Sequence, residues 1–382
     1  MIAVIADDIT GAAEIAGVCL RYGLKVSFGI DTVLNEVADV CVVATDSRSL
    51  SESDAYTVHS KLAAEIYKQN PTFVFKKCDS VLRGYVLTEL SALIAENQMI
   101  KILLQPANPS MGRCVKDGLY YVGKEKIEDT GFSNDPDFPA TDSSVLNILQ
   151  QRSKKHENLT DIYVGRILKL TGKGVFIPDC NSIEELKQSS LLATDKTLLC
   201  GSAAFFEQIL KDRGIKKQYI DTEVASVIDR NFLLVAGTTH SESKRFAEKL
   251  KQIDCPVVYF PDRFLEERLD ESEFAVWFRQ IEKSYNEKQM LSIGISDKLV
   301  DFPDSSTKLK RRLSRAVAYL FDKCTVNELL IEGGATAYSV LKTLSLHSFT
   351  LDKELAPGVL RMKINTQDNC WLTIKPGSYP WP

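Results

Sequence analysis

The chain has 382 residues, 44% hydrophobic and 26% charged, with a formal net charge of -4. That length exceeds one comfortable core and predicts two domains, and the mild acidic balance lacks the basic footprint of a nucleic-acid partner. No apolar run approaches the ~20 residues that span a bilayer. The chain start lacks a signal peptide's basic and apolar regions, so the expectation is a cytoplasmic protein that engages no membrane. The cysteines number 9, with no C-x-x-C pair. They form neither a zinc pattern nor a disulfide framework, and Cys41, Cys200 and Cys255, set in apolar runs, read as small buried hydrophobes.

Short β-rich runs alternate with helical patterns along almost the whole chain. Ile2–Ala6 reads as a buried strand that breaks into Asp7-Asp8 and then a helix, Ala12–Tyr22, with Ile15, Val18, Cys19 and Tyr22 on one apolar stripe. Lys25–Ile30 and Val40–Thr45 follow, the second leading into Asp46-Ser47-Arg48. Phe73–Lys76 runs into Lys77-Cys78-Asp79-Ser80-Val81-Leu82-Arg83-Gly84, and Ile102–Leu104 into Gln105-Pro-Ala-Asn-Pro-Ser-Met-Gly-Arg113. Asn108–Ser143 is irregular, with Leu119–Val122 as the first arm of a hairpin, and long inserts of this kind are usually functional. Val175–Pro178 and Leu198–Cys200 are further strands. A boundary is expected between Gly214 and Arg230, where charged Lys211–Lys217 gives way to a fresh buried strand, Phe232–Ala236. Residues 1–225 and 226–382 are assigned to two domains. Val257–Phe260, Leu291–Ile295 and Leu329–Glu332 complete the strands, and Glu271–Lys283 is a helix whose Phe274, Trp277, Phe278 and Ile281 face the core. The alternation predicts an α/β fold: two α/β domains with mostly parallel sheets, crossover helices and an interdomain cleft.

In open α/β sheets ligands bind at the carboxyl ends of the strands. A capping role at the helix start explains one of Asp7 and Asp8 and leaves the other without a purpose. Lys76, Lys77, Asp79, Ser80 and Arg83 can chelate a small polyhydroxylated anion, Arg taking a carboxylate and Asp accepting from hydroxyls; a solvated charged loop is the plainer alternative. Arg48 follows a third strand, where a helix-entry turn capped by Asp46 or Ser47 is the alternative, and Asn108 and Arg113 follow a fourth. If those strands are parallel, the clusters converge on one sheet edge. The second half carries glycine with small hydroxyls instead: Gly237-Thr238-Thr239-His240, Gly333-Gly334-Ala335-Thr336-Ala337 and Lys375-Pro376-Gly377-Ser378. Small residues let phosphate approach helix-terminal N–H groups, so a nucleotide cradle is expected. Gly118–Lys124 fits G-x-x-x-x-G-K, but Glu125 replaces the magnesium-binding hydroxyl and the interior is strand-like. His59, His156, His240 and His347 show no metal spacing, and His59 reads as structural or solvated.

Together the strings Ala6-Asp-Asp-Ile-Thr-Gly-Ala12, Lys77–Gly84, Pro106–Arg113, Glu332–Ala337 and Lys375–Ser378 resemble the four-carbon acid sugar kinase family, in the right order from residue 5 to about residue 378. The resemblance implies a sugar-acid-binding N-terminal domain, a nucleotide-binding C-terminal domain, and ATP-dependent phosphorylation of the terminal hydroxyl of threonate, erythronate or a 3-oxo-tetronate. It implies Asp8, Arg48, Lys77, Asp79, Ser80 and Arg83 as substrate contacts. Thr238, Thr239, Gly333, Gly334, Ala335, Thr336 and Gly377 become ATP contacts. The chain departs from the family at Gly237-Thr-Thr-His240, usually Ser-rich, and at its ending, Tyr379-Pro-Trp-Pro382.

Phosphoryl transfer needs positioning and charge stabilisation more than covalent help from the protein. Either Asp8 or Asp79 serves as catalytic base, Mg2+ accompanies the nucleotide with no protein ligand assigned, and closure of the two domains excludes water. The alternatives are a kinase for another small sugar acid and a catalytically weak sugar-acid sensor of the same fold. Homo-oligomerisation stays open.

Overall fold

The computed structural model describes residues 1–34, 36–96, 101–135, 137–154, 158–159, 161–218, 231–265, 270–296, 305–367 and 369–382. The chain divides into two compact units, Met1–Tyr219 and Ile220–Pro382; the expected boundary at residue 225 lies outside the described residues, as does His156.

In the first unit β1 (Ile2–Ala6), α1 (Ile9–Arg21), β2 (Val26–Ile30), β3 (Val40–Ala44), α2 (Glu52–Lys68), β4 (Phe73–Lys77), α3 (Val86–Ala95) and β5 (Lys101–Gln105) alternate. An antiparallel ribbon of β6 (Arg113–Lys116), β7 (Leu119–Val122) and β8 (Glu125–Lys126) follows. Then come α4 (Val145–Arg152), β9 (Ile162–Gly165), β10 (Gly174–Pro178), α5 (Ile183–Ser190), β11 (Thr197–Gly201) and α6 (Ala203–Asp212). The main sheet runs β2-β3-β1-β4-β11-β5-β10-β9, parallel throughout. β1, β3 and β4 are buried along their whole length, as strands covered on both faces must be.

The chain order reverses around β1, with β3 on one side and β4 on the other, and such a switch point opens a crevice beyond the strands' carboxyl ends. Register sets its level: Ala6 pairs with Ala44 on β3 and with Lys77 on β4. The segments that carry Asp7-Asp8, Arg48 and Asp79 therefore leave the sheet at one height.

In the second unit β12 (Phe232–Ala236), α7 (Ser241–Gln252), β13 (Val257–Tyr259), α8 (Glu271–Lys288), β14 (Met290–Gly294), α9 (Ser305–Lys323), β15 (Glu328–Glu332) and α10 (Gly334–Thr343) alternate, and β16 (Ser348–Ala356), β17 (Val359–Ile364) and β18 (Trp371–Lys375) end the chain. Its strands run β13-β14-β12-β15-β18-β17-β16. The first five are parallel, and β18, β17 and β16 pair antiparallel. Ala236, Glu332 and Lys375 share one level, so Gly237, Gly333 and Pro376 all begin there.

Two expectations need correction. Leu119–Val122 is the first arm of a hairpin with Glu125–Lys126, as expected, but it is also the second arm of one with Arg113–Lys116, a strand that the irregular reading of Asn108–Ser143 left out. The turn after Arg113–Lys116 is Asp117-Gly118, both at positive φ (51° and 74°), which is the two-residue connection that matches the right-handed strand twist. The first helix begins at Ile9 rather than Ala12, because Asp8 caps it. The aromatic stripe behaves as expected, with Phe274, Trp277 and Ile281 buried, and His59 is buried with Nδ1 2.9 Å from the Ala55 carbonyl.

Candidate functional site

Asp8 sits in extended backbone ahead of α1, its Oδ1 accepting the Gly11 N–H at 2.9 Å and its Oδ2 the Thr10 hydroxyl. It satisfies a helix-terminal donor and is the cap. Asp7, without solvent exposure, receives Arg48 instead: Nε donates to Oδ2 at 2.7 Å and Nη2 to Oδ1 at 3.0 Å. Nη2 of Arg48 also reaches Asp8 Oδ1 at 3.0 Å. Burial would raise the Asp7 pKa, but Arg48, helped by Lys76 and Lys77, brings it down to about 2. Asp46 makes no side-chain capping bond at the short turn Ser47–Ser49. The role of that turn is to present Arg48.

Asp79 follows the same logic from the next strand. Arg83 clamps it with Nε to Oδ2 at 2.9 Å and Nη2 to Oδ1 at 3.1 Å. The backbone N–H groups of Val81 and Arg83 each donate to Oδ2 at 3.3 Å, and Arg48 Nη1 stands 3.8 Å from Oδ1. Burial again opposes ionisation, and Arg83 and Arg48 overcome it, holding the carboxyl well below the usual carboxylate range. Lys77 Nζ donates to the Cys78 carbonyl at 2.9 Å and lies 3.6 Å from Glu14 Oε2. Its pKa is raised: burial would lower it, and Glu14, Asp7 and Asp8 reverse the sign. The Ser80 hydroxyl accepts from Arg113, and its carbonyl accepts from the buried Tyr120 hydroxyl. Asp8, Arg48, Lys77, Asp79, Ser80 and Arg83 thus gather at the ends of three adjacent strands.

The expectation that Lys76 chelates the anion beside Lys77 needs correction, and other contributors were not singled out from the sequence. Lys76 and Lys77 look alike in the string, yet successive residues of a strand face opposite ways. Lys76 points into the core and pairs with Glu89 at 2.9 Å, both fully buried, and the Ser47 hydroxyl donates to Glu89 Oε1 at 2.5 Å. That network sits directly behind the Arg48 turn. Asp135, from the irregular insert, accepts Arg83 Nη1 at 3.1 Å, and Arg152 donates to the Leu82 carbonyl at 2.7 Å, bracing the 79–84 loop. Only the strand alternation around Lys76 was available in advance as a signal.

The glycine segments of the second unit also meet. A Cβ at Gly237 would lie 1.9 Å from Thr336 Oγ1, and one at Gly377 within 3.1 Å of Thr238. The Gly237 N–H donates to the Glu332 carbonyl at 3.2 Å and the Gly333 N–H to the Lys375 carbonyl at 2.9 Å. Gly333 takes the capping position of α10 at φ 94° with no side-chain cap, a geometry that suits glycine and leaves the opening N–H groups of the helix for an anion. Thr239, Gly334 and Ala335 lie half-buried in the same turns. Gly118–Lys124 is strand β7 with its flanking turns, not a phosphate loop.

Residues 2–209 match the family model of a sugar-binding N-terminal domain, and residues 233–379 that of a nucleotide-binding C-terminal domain. The chain belongs to the four-carbon acid sugar kinase family. Similar members of the four-carbon acid sugar kinase family include a 3-oxo-tetronate kinase of Haemophilus influenzae, 24% identical across 99% of this chain and 97% of that one. A D-threonate kinase of Bordetella bronchiseptica is 23% identical, covering 94% of this chain and 88% of its own length. A solved structure from Salmonella typhimurium LT2 superposes with a TM-score of 0.79 at 16% identity, covering 99% of this chain and 96% of that one, and so shares the fold. No helix among the described residues is long and apolar enough to cross a membrane.

Proposed function

We propose that this protein is an ATP-dependent kinase that phosphorylates the terminal hydroxyl of a four-carbon acid sugar: threonate, erythronate or a 3-oxo-tetronate. The observation that carries the reading is the gathering of Arg48, Lys77 and Arg83 with Asp8, Asp79 and Ser80 at the ends of β1, β3 and β4. Relatives named for this activity over nearly their whole length support it.

In this reading the cations hold the carboxylate and hydroxyls of the acid, and Asp8 is the base. Asp79 gives both oxygens to Arg83 and its ionised form is strongly favoured, which makes it a poor proton acceptor. Asp8 Oδ2 accepts the Thr10 hydroxyl and, with two lone pairs, has room to accept a substrate hydroxyl as well. As the substrate oxygen bonds to phosphorus and the bond to the leaving ADP breaks, the hydroxyl proton passes to Asp8. The turns at Gly237, Gly333 and Gly377 receive the triphosphate of MgATP, the phosphoryl donor. Magnesium would enter bound to the phosphates of the nucleotide, keeping several of its own waters.

The test is ADP release from MgATP across a panel of C4 acids. One acid should give saturable, acid-dependent ADP formation; Asp8→Asn should cut kcat by about 10²–10⁴-fold while acid binding persists, and Asp79→Asn should act mainly on the KM of the acid. Wild-type turnover in Asp8→Asn would remove it as base. Acid binding without ADP formation would favour the sensor reading, which the His240-capped turn after Gly237 motivates.

A further inference from the structure

Building on the kinase reading, we infer that the C-terminal tail after Lys375 is a working wall of the nucleotide site. A buried Glu332–Lys375–Trp381 cluster holds it there, and Trp381 and Lys375 are positioning residues for ATP.

Glu332 and Lys375 end two adjacent strands, and their backbone carbonyls already tie the turns at Gly237 and Gly333. Their side chains, both without exposure, tie the tail. Lys375 Nζ donates to the carbonyls of Pro376 at 3.0 Å and Tyr379 at 2.7 Å, with Gly377 at 3.5 Å, and faces Glu332 Oε1 at 3.7 Å. Three carbonyls around one ammonium fold the tail back on itself. The ammonium is fully engaged with the protein's own groups, so its role is to shape the turn rather than to contact phosphate.

Trp381 closes the arrangement. Its Nε1 donates to Glu332 Oε1, its ring stacks on Phe246 of α7 with centroids 5.3 Å apart, and Lys375 Nζ stands 5.5 Å from the ring centre. Phe246 belongs to the helix that begins just after Thr238-Thr239-His240. The tail is therefore fastened both to the strand ends and to that helix, and Gly377 is pressed against Thr238 between the two attachments. An indole with one donor and a flat apolar face suits such a buried, half-polar corner. Loosening the anchor should release Gly377 from Thr238 and open one side of the cradle.

The experiment compares wild type, Trp381→Phe and Trp381→Ala as full-length protein. ADP and C4-acid dissociation constants come from calorimetry, the KM for ATP and for the acid from turnover, and melting temperature reports folding. Trp381→Ala should weaken ADP and raise the KM for ATP by about tenfold, the scale of one lost positioning contact. Trp381→Phe, which keeps the stacked ring and loses the N–H, should fall between it and wild type, and acid affinity should stay within about twofold in both. Unchanged ADP affinity in a folded variant, or equal weakening of ADP and acid, overturns the inference. If Trp381→Ala does not fold, Trp381→Phe decides by the same two readings. A wild-type protein that binds no nucleotide refutes the kinase reading instead, which keeps the two failures apart.

Discussion

Asp7 and Asp8 carry the same side chain and meet opposite fates. Asp8 turns outward, caps α1 and keeps a hydroxyl-facing oxygen, whereas Asp7 is enclosed and neutralises Arg48. Asp7→Asn removes two charge-assisted hydrogen bonds to Arg48, which keeps Asp8 and Asp79 as neighbours, so it should destabilise the first unit by about 1.5–3 kcal/mol at neutral pH, measured by urea unfolding. The acid response has a definite sign. The folded pKa of Asp7, about 2, lies below its ordinary 3.8, so its stabilisation is complete above that ordinary value and drains away as pH falls towards 2. That difference corresponds to about 2 kcal/mol. Asp7→Asn should lose correspondingly less stability over the same window, and an identical acid profile would remove Asp7 from the account. The sequence marked the pair as one residue too many for a cap, but could not say which Asp did what, since the answer lies in side-chain direction. The same holds for Lys76 and Lys77. Asp135 was illegible because its partner, Arg83, is 52 positions away across an irregular insert.

At the level of strands and turns the controlling fact is register. In each unit three parallel strands stop at one level, and loops unrelated in sequence are thereby assembled side by side. Buried runs such as Ile2–Ala6 and Phe232–Ala236 announced themselves through apolar content alone. The antiparallel pair β16 and β17 did not, because half-exposed strands carry polar residues such as Asp352, Lys353 and Glu354 that mask the period-two signal. The Asp117-Gly118 turn is legible in the sequence as a hairpin dipeptide. At Gly237 steric contact makes a direct prediction. Alanine there would drive its methyl group into Thr336, so Gly237→Ala should raise the ATP KM by about tenfold with acid affinity unchanged. Unaltered ATP kinetics would show that the Gly237 turn is remote from the nucleotide.

For the molecule as a whole, length and alternation foretold two α/β units, and the family resemblance implies which unit takes which ligand. The division of labour is open to hydrogen exchange. The C4 acid should protect amides around residues 6–11 and 77–84, and MgADP those around 237–239 and 333–337. Protection of one unit by both ligands, with none in the other, would break the assignment. Asp8, Arg48 and the stretch from Lys77 to Gly84 leave neighbouring strands yet are far apart along the polypeptide. A genetic exchange of any one of them keeps the strands and their register, while its ion pairs to the other two have to be matched anew. On the kinase reading, preference for a new acceptor stereoisomer is then within reach of piecemeal replacement, one short insert at a time, without a new fold having to evolve.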